Sequence, residues 1–266
     1  MSISEYETIT VSRDGAVDRL CLNRPDQLNA LNQRMVDELT DYFQARYRDL
    51  ECRVIVLQAA GRAFCAGLDL KETKIGFKNP REGMTIQHRV GDIYKAMRRC
   101  PQPIVCLING AAAGGGFSLA LASDIRIAGE SARMNAAFIT IGLTGGDMGA
   151  SYFLPRLVGT SVASELLMTG RFINAERALR VNLVSVVVPN EQLEQAAQPY
   201  IDDLLRTTPF GLRMTKECLN LSVDAQSLEA AMAVEDRQQI LTSFTADAEE
   251  AGTAFFEKRA PSYKDE

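Results

Sequence analysis

Apolar residues recur along this chain in two rhythms up to about residue 190 and in one rhythm after it. Runs of strand length rich in Val, Ile and Leu stand at Val54 to Leu57, Ile104 to Ile108, Ile125 to Ala128 and Val184 to Val188, the last ended by Pro189, and they predict buried strands. A hairpin is expected before them, Ile9 to Ser12 and Val17 to Leu22 around a turn at Arg13-Asp14-Gly15. Helical spacing falls between these runs. Asn32 caps a helix carrying Met35, Leu39, Phe43 and Leu50, another is expected from about Met84 to Arg99, and two short ones from Val162 to Thr169 and Ala175 to Val181. From Glu191 onward the pattern is helical alone, with a tail from Asp247 to Arg259 that puts Ala248, Ala251 and Phe255 on one face and Phe256 beside it. Strands alternating with helices, then helices alone, predict an α/β core followed by an α-helical region, divided here as residues 1–195 and 196–266. Residues 73–83 (TKIGFKNPREG) carry glycine, proline and charge without period, which predicts a mobile loop.

The stretch from Pro103 to Asp124, PIVCLINGAAAGGGFSLALASD, organises the rest. Ile104 to Ser123 is 20 uncharged residues, long enough to span a membrane. Asn109-Gly110 is a turn dipeptide and three glycines make a costly helix interior, so the run divides into a strand, a turn and a helix from about Gly115 to Ala122. Such a helix start offers free N–H groups and a positive dipole end. The same glycines also suit close packing of a helix on a strand.

Composition narrows the class. With 266 residues, 46% of them hydrophobic and 24% charged, the chain can bury a large core. A net charge of −5 without any Lys/Arg cluster argues against a nucleic-acid surface. The start, MSISEYETIT, lacks the features of a signal peptide, which with the cysteine usage predicts a cytoplasmic protein with no membrane partner. Cys21, Cys52, Cys65, Cys100, Cys106 and Cys218 show no metal or disulfide spacing and read as reduced thiols. The one histidine, His88, lies in a polar helical stretch, leaving no Ser-His triad or histidine-based metal site unless it serves alone.

Candidate chemistry comes from two loops that each follow a buried strand and free backbone N–H groups, at Leu68 after Gly67 and at Gly115. Two preorganised N–H donors are what an enolate oxygen needs, and losing one typically costs about 3 kcal/mol of transition-state stabilisation. The glycines fit neither a phosphate loop nor a dinucleotide fingerprint.

Six segments carry a family resemblance: Asn23-Arg-Pro-Asp-Gln-Leu-Asn-Ala-Leu31, Gly61-Arg-Ala-Phe-Cys-Ala-Gly-Leu-Asp-Leu-Lys71, Asn109-Gly-Ala-Ala-Ala-Gly-Gly-Gly116, Asp124-Ile-Arg-Ile-Ala128, Leu154-Pro-Arg-Leu-Val-Gly159 and Phe255-Phe-Glu-Lys-Arg-Ala-Pro261. In this order they resemble the enoyl-CoA hydratase/isomerase (crotonase) superfamily. The resemblance implies an α/β fold, a crotonase-type spiral of ββα units with an α-helical C-terminal trimerisation region, assembling as a homotrimer or dimer of trimers. It implies acyl-CoA thioester substrates, with coenzyme A part of the substrate and no permanently bound cofactor or metal. By the same analogy Leu68 and Gly115 supply the oxyanion-hole N–H groups. Arg24, Leu28, Ala66, Asp69, Leu70 and Lys71 match the coenzyme A site, and Phe256 and Lys258 match tail positions that reach a neighbouring subunit's ligand.

Hydratases of the family use two glutamates, at positions that here hold Ser118 and Phe138, and neither residue transfers a proton readily at neutral pH. Asp147, in Gly145-Gly-Asp-Met-Gly149, matches the aspartate of isomerase-like and some aryl-CoA members when counted back from Pro155. A glycine-flanked aspartate also forms turns. The first expectation is therefore isomerase-type proton transfer by Asp147, with Ser118 positioning a water. An acyl-CoA-binding protein without chemistry, and an aryl-CoA hydrolase with an aspartate nucleophile, are the alternatives.

Overall fold

The computed structural model describes residues 6–72 and 78–266. In chain order the elements are β1 (Ile9–Asp14), β2 (Val17–Leu22), α1 (Gln33–Arg46), β3 (Val54–Ala59), β4 (Ala63–Cys65), α2 (Pro80–Arg99), β5 (Ile104–Ile108), β6 (Ala111–Ala113), α3 (Gly115–Ala122), β7 (Ile125–Gly129), β8 (Arg133–Asn135), α4 (Ala150–Thr169), β9 (Ile173–Asn174), α5 (Ala175–Arg180), β10 (Val186–Val188), α6 (Leu193–Leu205), α7 (Pro209–Ser222), α8 (Leu228–Ser243) and α9 (Ala246–Glu257). Six strands form one sheet in the order β1-β2-β3-β5-β7-β10, and four form a second in the order β4-β6-β8-β9. Three successive turns of chain, β3-β4-α2, β5-β6-α3 and β7-β8-α4, each give one strand to each sheet and then a helix. Within those turns every pairing is parallel. This is the α/β spiral of ββα units.

Period-two alternation explains why the strand sequences are apolar throughout. Ile55, Leu57, Ile104, Cys106 and Ile108 point to one side of the large sheet, into the main core with α1, α2 and α3. Val54, Val56, Val105, Leu107 and Ile127 point to the other, where Leu193, Ala197 and Ile201 of α6 cover them. Strands buried on both faces lose the polar alternation of a one-sided sheet. The helix α6 crosses the 195/196 boundary and packs on this outer face. Among the described residues no helix is long and apolar enough to cross a membrane.

Several boundaries differ from the sequence expectation. The opening hairpin turns at Gly15-Ala16, because β1 extends to Asp14. The first helix stops at Arg46, and Leu50 is exposed: Asp49 accepts the backbone N–H groups of Glu51 and Cys52 and so competes with helix continuation. The second helix begins at Pro80, where Asn79 Oδ1 accepts the Glu82 N–H at 3.0 Å and proline takes the first helical position, so residues 80–83 of the expected loop are helical. Residues 73–77 of that loop lie outside the described residues. The motif Leu154 to Gly159 forms the first half of α4, whose two halves meet at Gly159. The last strand of the large sheet is Val186–Val188, two residues shorter at its start than expected. All six cysteines are free thiols.

Candidate active site

Three chain segments meet at the start of α3. The chain leaves β6 through Gly114, whose φ of 51° and ψ of −119° suit only glycine, and enters the helix at Gly115. As the first helical residue, Gly115 has an N–H with no acceptor inside the helix. Gly116 faces the other way, onto β4, where an added methyl would lie 2.2 Å from the Cys65 carbonyl oxygen. Both sequence readings of the glycine run therefore hold, at different residues: Gly114 and Gly115 open the helix, and Gly116 lets it pack.

The second segment is the loop after β4. Leu31 and Leu68 form a parallel bridge in which Leu31 N–H donates to Gly67 O at 2.7 Å and Asp69 N–H donates to Leu31 O at 3.0 Å. Strand geometry then turns the N–H of Leu68 to the opposite side from Leu31. Among the described residues this N–H has no acceptor. Gly67, at φ 94°, stands against the other loop, since a methyl on it would lie 2.8 Å from Ala113 O and 3.5 Å from Gly115 N. The two loops that carry these N–H groups therefore lie against each other at Gly67, Ala113 and Gly115.

The third segment is the loop before α4. A methyl added to Gly115 would meet Leu31 Cδ1 at 2.9 Å, Met148 Sδ at 3.1 Å and Tyr94 Oη at 3.1 Å. Tyr94, buried on α2, lies 3.1 Å from Gly115 O and 3.2 Å from Met148 Sδ, within reach to donate its one hydroxyl proton to either. Burial raises its phenol well above the usual range, as do Cys65 and Asp147 nearby, so it stays protonated. Asp147 adjoins Met148. Its Oδ1 accepts the Met148 N–H at 2.7 Å and a hydrogen bond from Gln87 Nε2 on α2. Burial raises the Asp147 carboxyl above its ordinary value, against the opposing effect of those two donors.

The expected coenzyme A residues gather round Leu68, several of them with structural duties. Arg24 Nη1 donates to Ala30 O at 2.6 Å and to Asp69 Oδ2 at 3.0 Å, and Nη2 donates to Glu72 at 3.0 Å. Asp69 Oδ1 accepts the Lys71 N–H at 3.1 Å. Burial alone would raise the Asp69 carboxyl, and Arg24 with the Glu72 and Lys71 amides more than offsets this and holds it low. Leu28, at φ 52°, accepts the Ala66 N–H at 3.0 Å and ties the two loops together. Ala66, Leu70 and Lys71 are exposed along the rim.

Ser118 lies one turn into α3, fully buried, with its hydroxyl lacking any partner among the described residues. Phe138 is buried with its ring 3.3 Å from where a Gly114 side chain would start, so the wall beside the helix start is apolar. Phe256 and Lys258 are exposed at the end of α9, and no hydrogen bond, ion pair or ring contact among the described residues ties them to the Leu68–Gly115 cluster. His88 is exposed on α2. Among the described residues no cluster of His, Cys, Asp or Glu has the makings of a metal site.

Sequence reasoning missed Asn29, Gln87, Tyr94 and Met148. Asn29 is fully buried at φ 54°, donates to Ala60 O and Ala63 O at 2.8 and 2.9 Å and accepts the Arg24 N–H at 2.8 Å. Its signal was a polar residue set between the apolar positions Leu28 and Ala30. A groove of about 1290 Å³ runs between α2, α4 and α7. Gln87, Tyr94 and Met148 line it, and Leu68 and Gly115 do not.

A family model described as enoyl-CoA hydratase/isomerase matches residues 12–266. A Mycobacterium tuberculosis protein named "probable enoyl-CoA hydratase" is 38% identical over 256 residues, 94% of this chain and 90% of that protein. The 1,2-epoxyphenylacetyl-CoA isomerase of Escherichia coli is 35% identical over 246 residues, 92% of this chain and 93% of the relative. A crystal structure of enoyl-CoA hydratase from Bacillus anthracis superposes with a TM-score of 0.92 at 34% identity, covering 98% of this chain and 100% of the other.

Proposed function

Because the chain belongs to the enoyl-CoA hydratase/isomerase family, we propose that it binds an acyl-CoA thioester and shifts its double bond by proton transfer through Asp147. The thioester carbonyl sits between the N–H groups of Leu68 and Gly115, where the negative charge of an enolate is stabilised as it forms. Asp147 removes a proton from one carbon of the enoyl chain and returns it two carbons along. No resident cofactor enters this reading.

One observation carries it. Asp147 directly precedes Met148, whose sulfur lies against Gly115, and its carboxylate is one whose burial raises its proton affinity above the ordinary value, the direction a general base needs. At the two positions where hydration would need glutamates stand a sealed-in hydroxyl and a phenylalanine ring. Adding water requires a group to activate it and another to deliver a proton; a 1,3-proton shift requires one base. The order of the two activities, isomerase above hydratase, follows from that difference.

Purified protein incubated with a 3-enoyl-CoA and with a 2-enoyl-CoA, with products followed by mass spectrometry, tests the reading. Isomerisation of the first is expected, with little hydration of the second. Asp147→Asn should lower isomerase kcat by about a thousandfold with acyl-CoA binding retained, since it removes the only proton acceptor of the step. Retained turnover in that variant would sink the role of Asp147, and binding of acyl-CoA without any turnover of the unaltered protein would favour a pocket that has lost its chemistry.

A further inference from the structure

We infer that Gln87 is a positioning residue for Asp147, fixing the plane of its carboxylate so that Oδ2 is the oxygen presented to substrate; the inference rests on the isomerase reading. Two donors from different elements converge on Oδ1: the Gln87 amide from α2 and the Met148 N–H from the α4 loop. Oδ2 has no hydrogen-bond partner among the described residues. With one oxygen held from two sides, rotation about Cβ–Cγ would break a hydrogen bond, so the open oxygen keeps one direction. A one-ångström misplacement of a reacting group can cost about a hundredfold in rate.

The placement on α2 gives the hydrogen bond its register. Gln87 and Tyr94 are seven residues apart, two helical turns, and so share a face. Tyr94 reaches Gly115 and Met148 while Gln87 reaches Asp147. A single helix therefore contacts both the oxyanion-hole residue and the loop of the proton-transfer group, which lie on different segments of chain.

The type of residue matters too. An arginine or lysine at position 87 would also hold the carboxylate, but its charge would lower the proton affinity of the base. An uncharged amide orients with less loss of basicity. Of the titratable side chains on α2 and α4, Tyr94 is the one whose proton affinity responds to the Asp147 charge, and none of the charged side chains on these helices hydrogen-bonds to the Asp147 carboxylate among the described residues. Burial keeps Tyr94 and Tyr152 protonated beyond the usual phenol range.

Gln87→Leu and Gln87→Glu test this beside Asp147→Asn. For Gln87→Leu, isomerase kcat should fall about ten- to a hundredfold with KM within twofold, a split expected when orientation and not binding is lost. The acid limb of the kcat–pH profile should move up in Gln87→Leu, which loses a donor to the carboxylate, and further up in Gln87→Glu, which sets a second carboxylate against the first. A purely structural glutamine would leave the limb in place. The same shift can be read without turnover, as the pH at which the infrared band of the protonated Asp147 carboxyl, missing in Asp147→Asn, disappears. If Gln87→Leu does not fold, the near-isosteric Gln87→Glu carries the test. Unchanged kcat and an unmoved limb in the Gln87 variants, with Asp147→Asn inactive, would overturn this inference and leave the isomerase reading standing. Full turnover by Asp147→Asn would overturn both.

Discussion

At Asp147 stability and activity pull in opposite directions. Its carboxyl titrates above its unfolded value because burial disfavours the charge. The sign follows from linkage: the folded state binds the proton more tightly, so stability is highest below the unfolded pKa, falls as pH rises through the folded one, and stays lower above it. Asp147→Asn keeps an acceptor for Gln87 and Met148 without the charge. It is expected to melt higher than the unaltered protein at pH 7, by about 1 kcal/mol, with the gap closing below about pH 4, the usual carboxylate range. Calorimetry at the two pH values checks this, and a lower melting point at pH 7 would contradict it. Ser118 gives the opposite case. A buried hydroxyl without a partner costs about 1–3 kcal/mol in desolvation, so Ser118→Ala should be as stable as the parent or up to about 1 kcal/mol more stable. Turnover should stay within about twofold, whereas a tenfold loss would support the water-positioning role expected from sequence. Residue by residue, the candidate site was legible where backbone groups form it. Leu68 and Gly115 each follow a glycine that a sharp turn needs, and that leaves a mark in the sequence. Gln87 and Tyr94 act through side chains that cross from α2 to partners 60 and 21 residues away, and nothing local distinguishes them from any other half-polar helix positions.

Among the elements, the two loops of the proposed oxyanion hole depend on one close approach. Gly67→Ala would put a methyl at φ 94° and 2.8 Å from Ala113 O, where backbone must move to make room. Strain and overpacking of this kind cost about 1–3 kcal/mol. The displaced atom belongs to the residue before Gly114, so the N–H groups of Leu68 and Gly115 should splay apart and kcat should fall by about a hundred- to a thousandfold, as for loss of one oxyanion donor. Thermal melting and steady-state kinetics on the same variant check the pair of effects, and near-normal kcat would mean that the two N–H groups do not act together. The same elements show why the strands were easier to read than the helices. A run buried on both faces, such as Ile104–Ile108, can be little else. Helix ends instead turn on single side chains: Asp49 draws the chain out of α1 by capping the following loop, and Asn79 with Pro80 starts α2 inside a stretch that has no hydrophobic period. The α4 motif contains Pro155 and ends at Gly159, two helix breakers that hid a helix made of two halves.

For the molecule as a whole, the C-terminal helices are the part that the single chain does not account for. The helix α8 has no buried residue over its 16 positions, although Leu228, Met232, Ile240 and Leu241 lie on it. Phe244 is 85% exposed, and Phe255 and Phe256 stack edge to face at 78% and 84% exposure. Each aromatic ring left in water forgoes a favourable transfer of about 2 kcal/mol. Apolar side chains on several faces of one region mark a contact surface, and a helix pair with no core of its own needs a partner to bury it. We propose that other copies of this chain supply it, in the threefold assembly that the family resemblance implies, and that Phe256 and Lys258 come beside a neighbour's ligand by this route. Sedimentation equilibrium should then give three or six times the chain mass at micromolar concentration, with a melting temperature that rises with protein concentration. Ile240→Asp with Leu241→Asp should shift the protein toward the monomer and weaken acyl-CoA binding, while leaving the secondary structure of the α/β core, which buries none of these residues, unchanged by circular dichroism. A monomer that binds acyl-CoA normally would remove the need for a partner, and would leave α8 and the paired phenylalanines without an explanation in this fold.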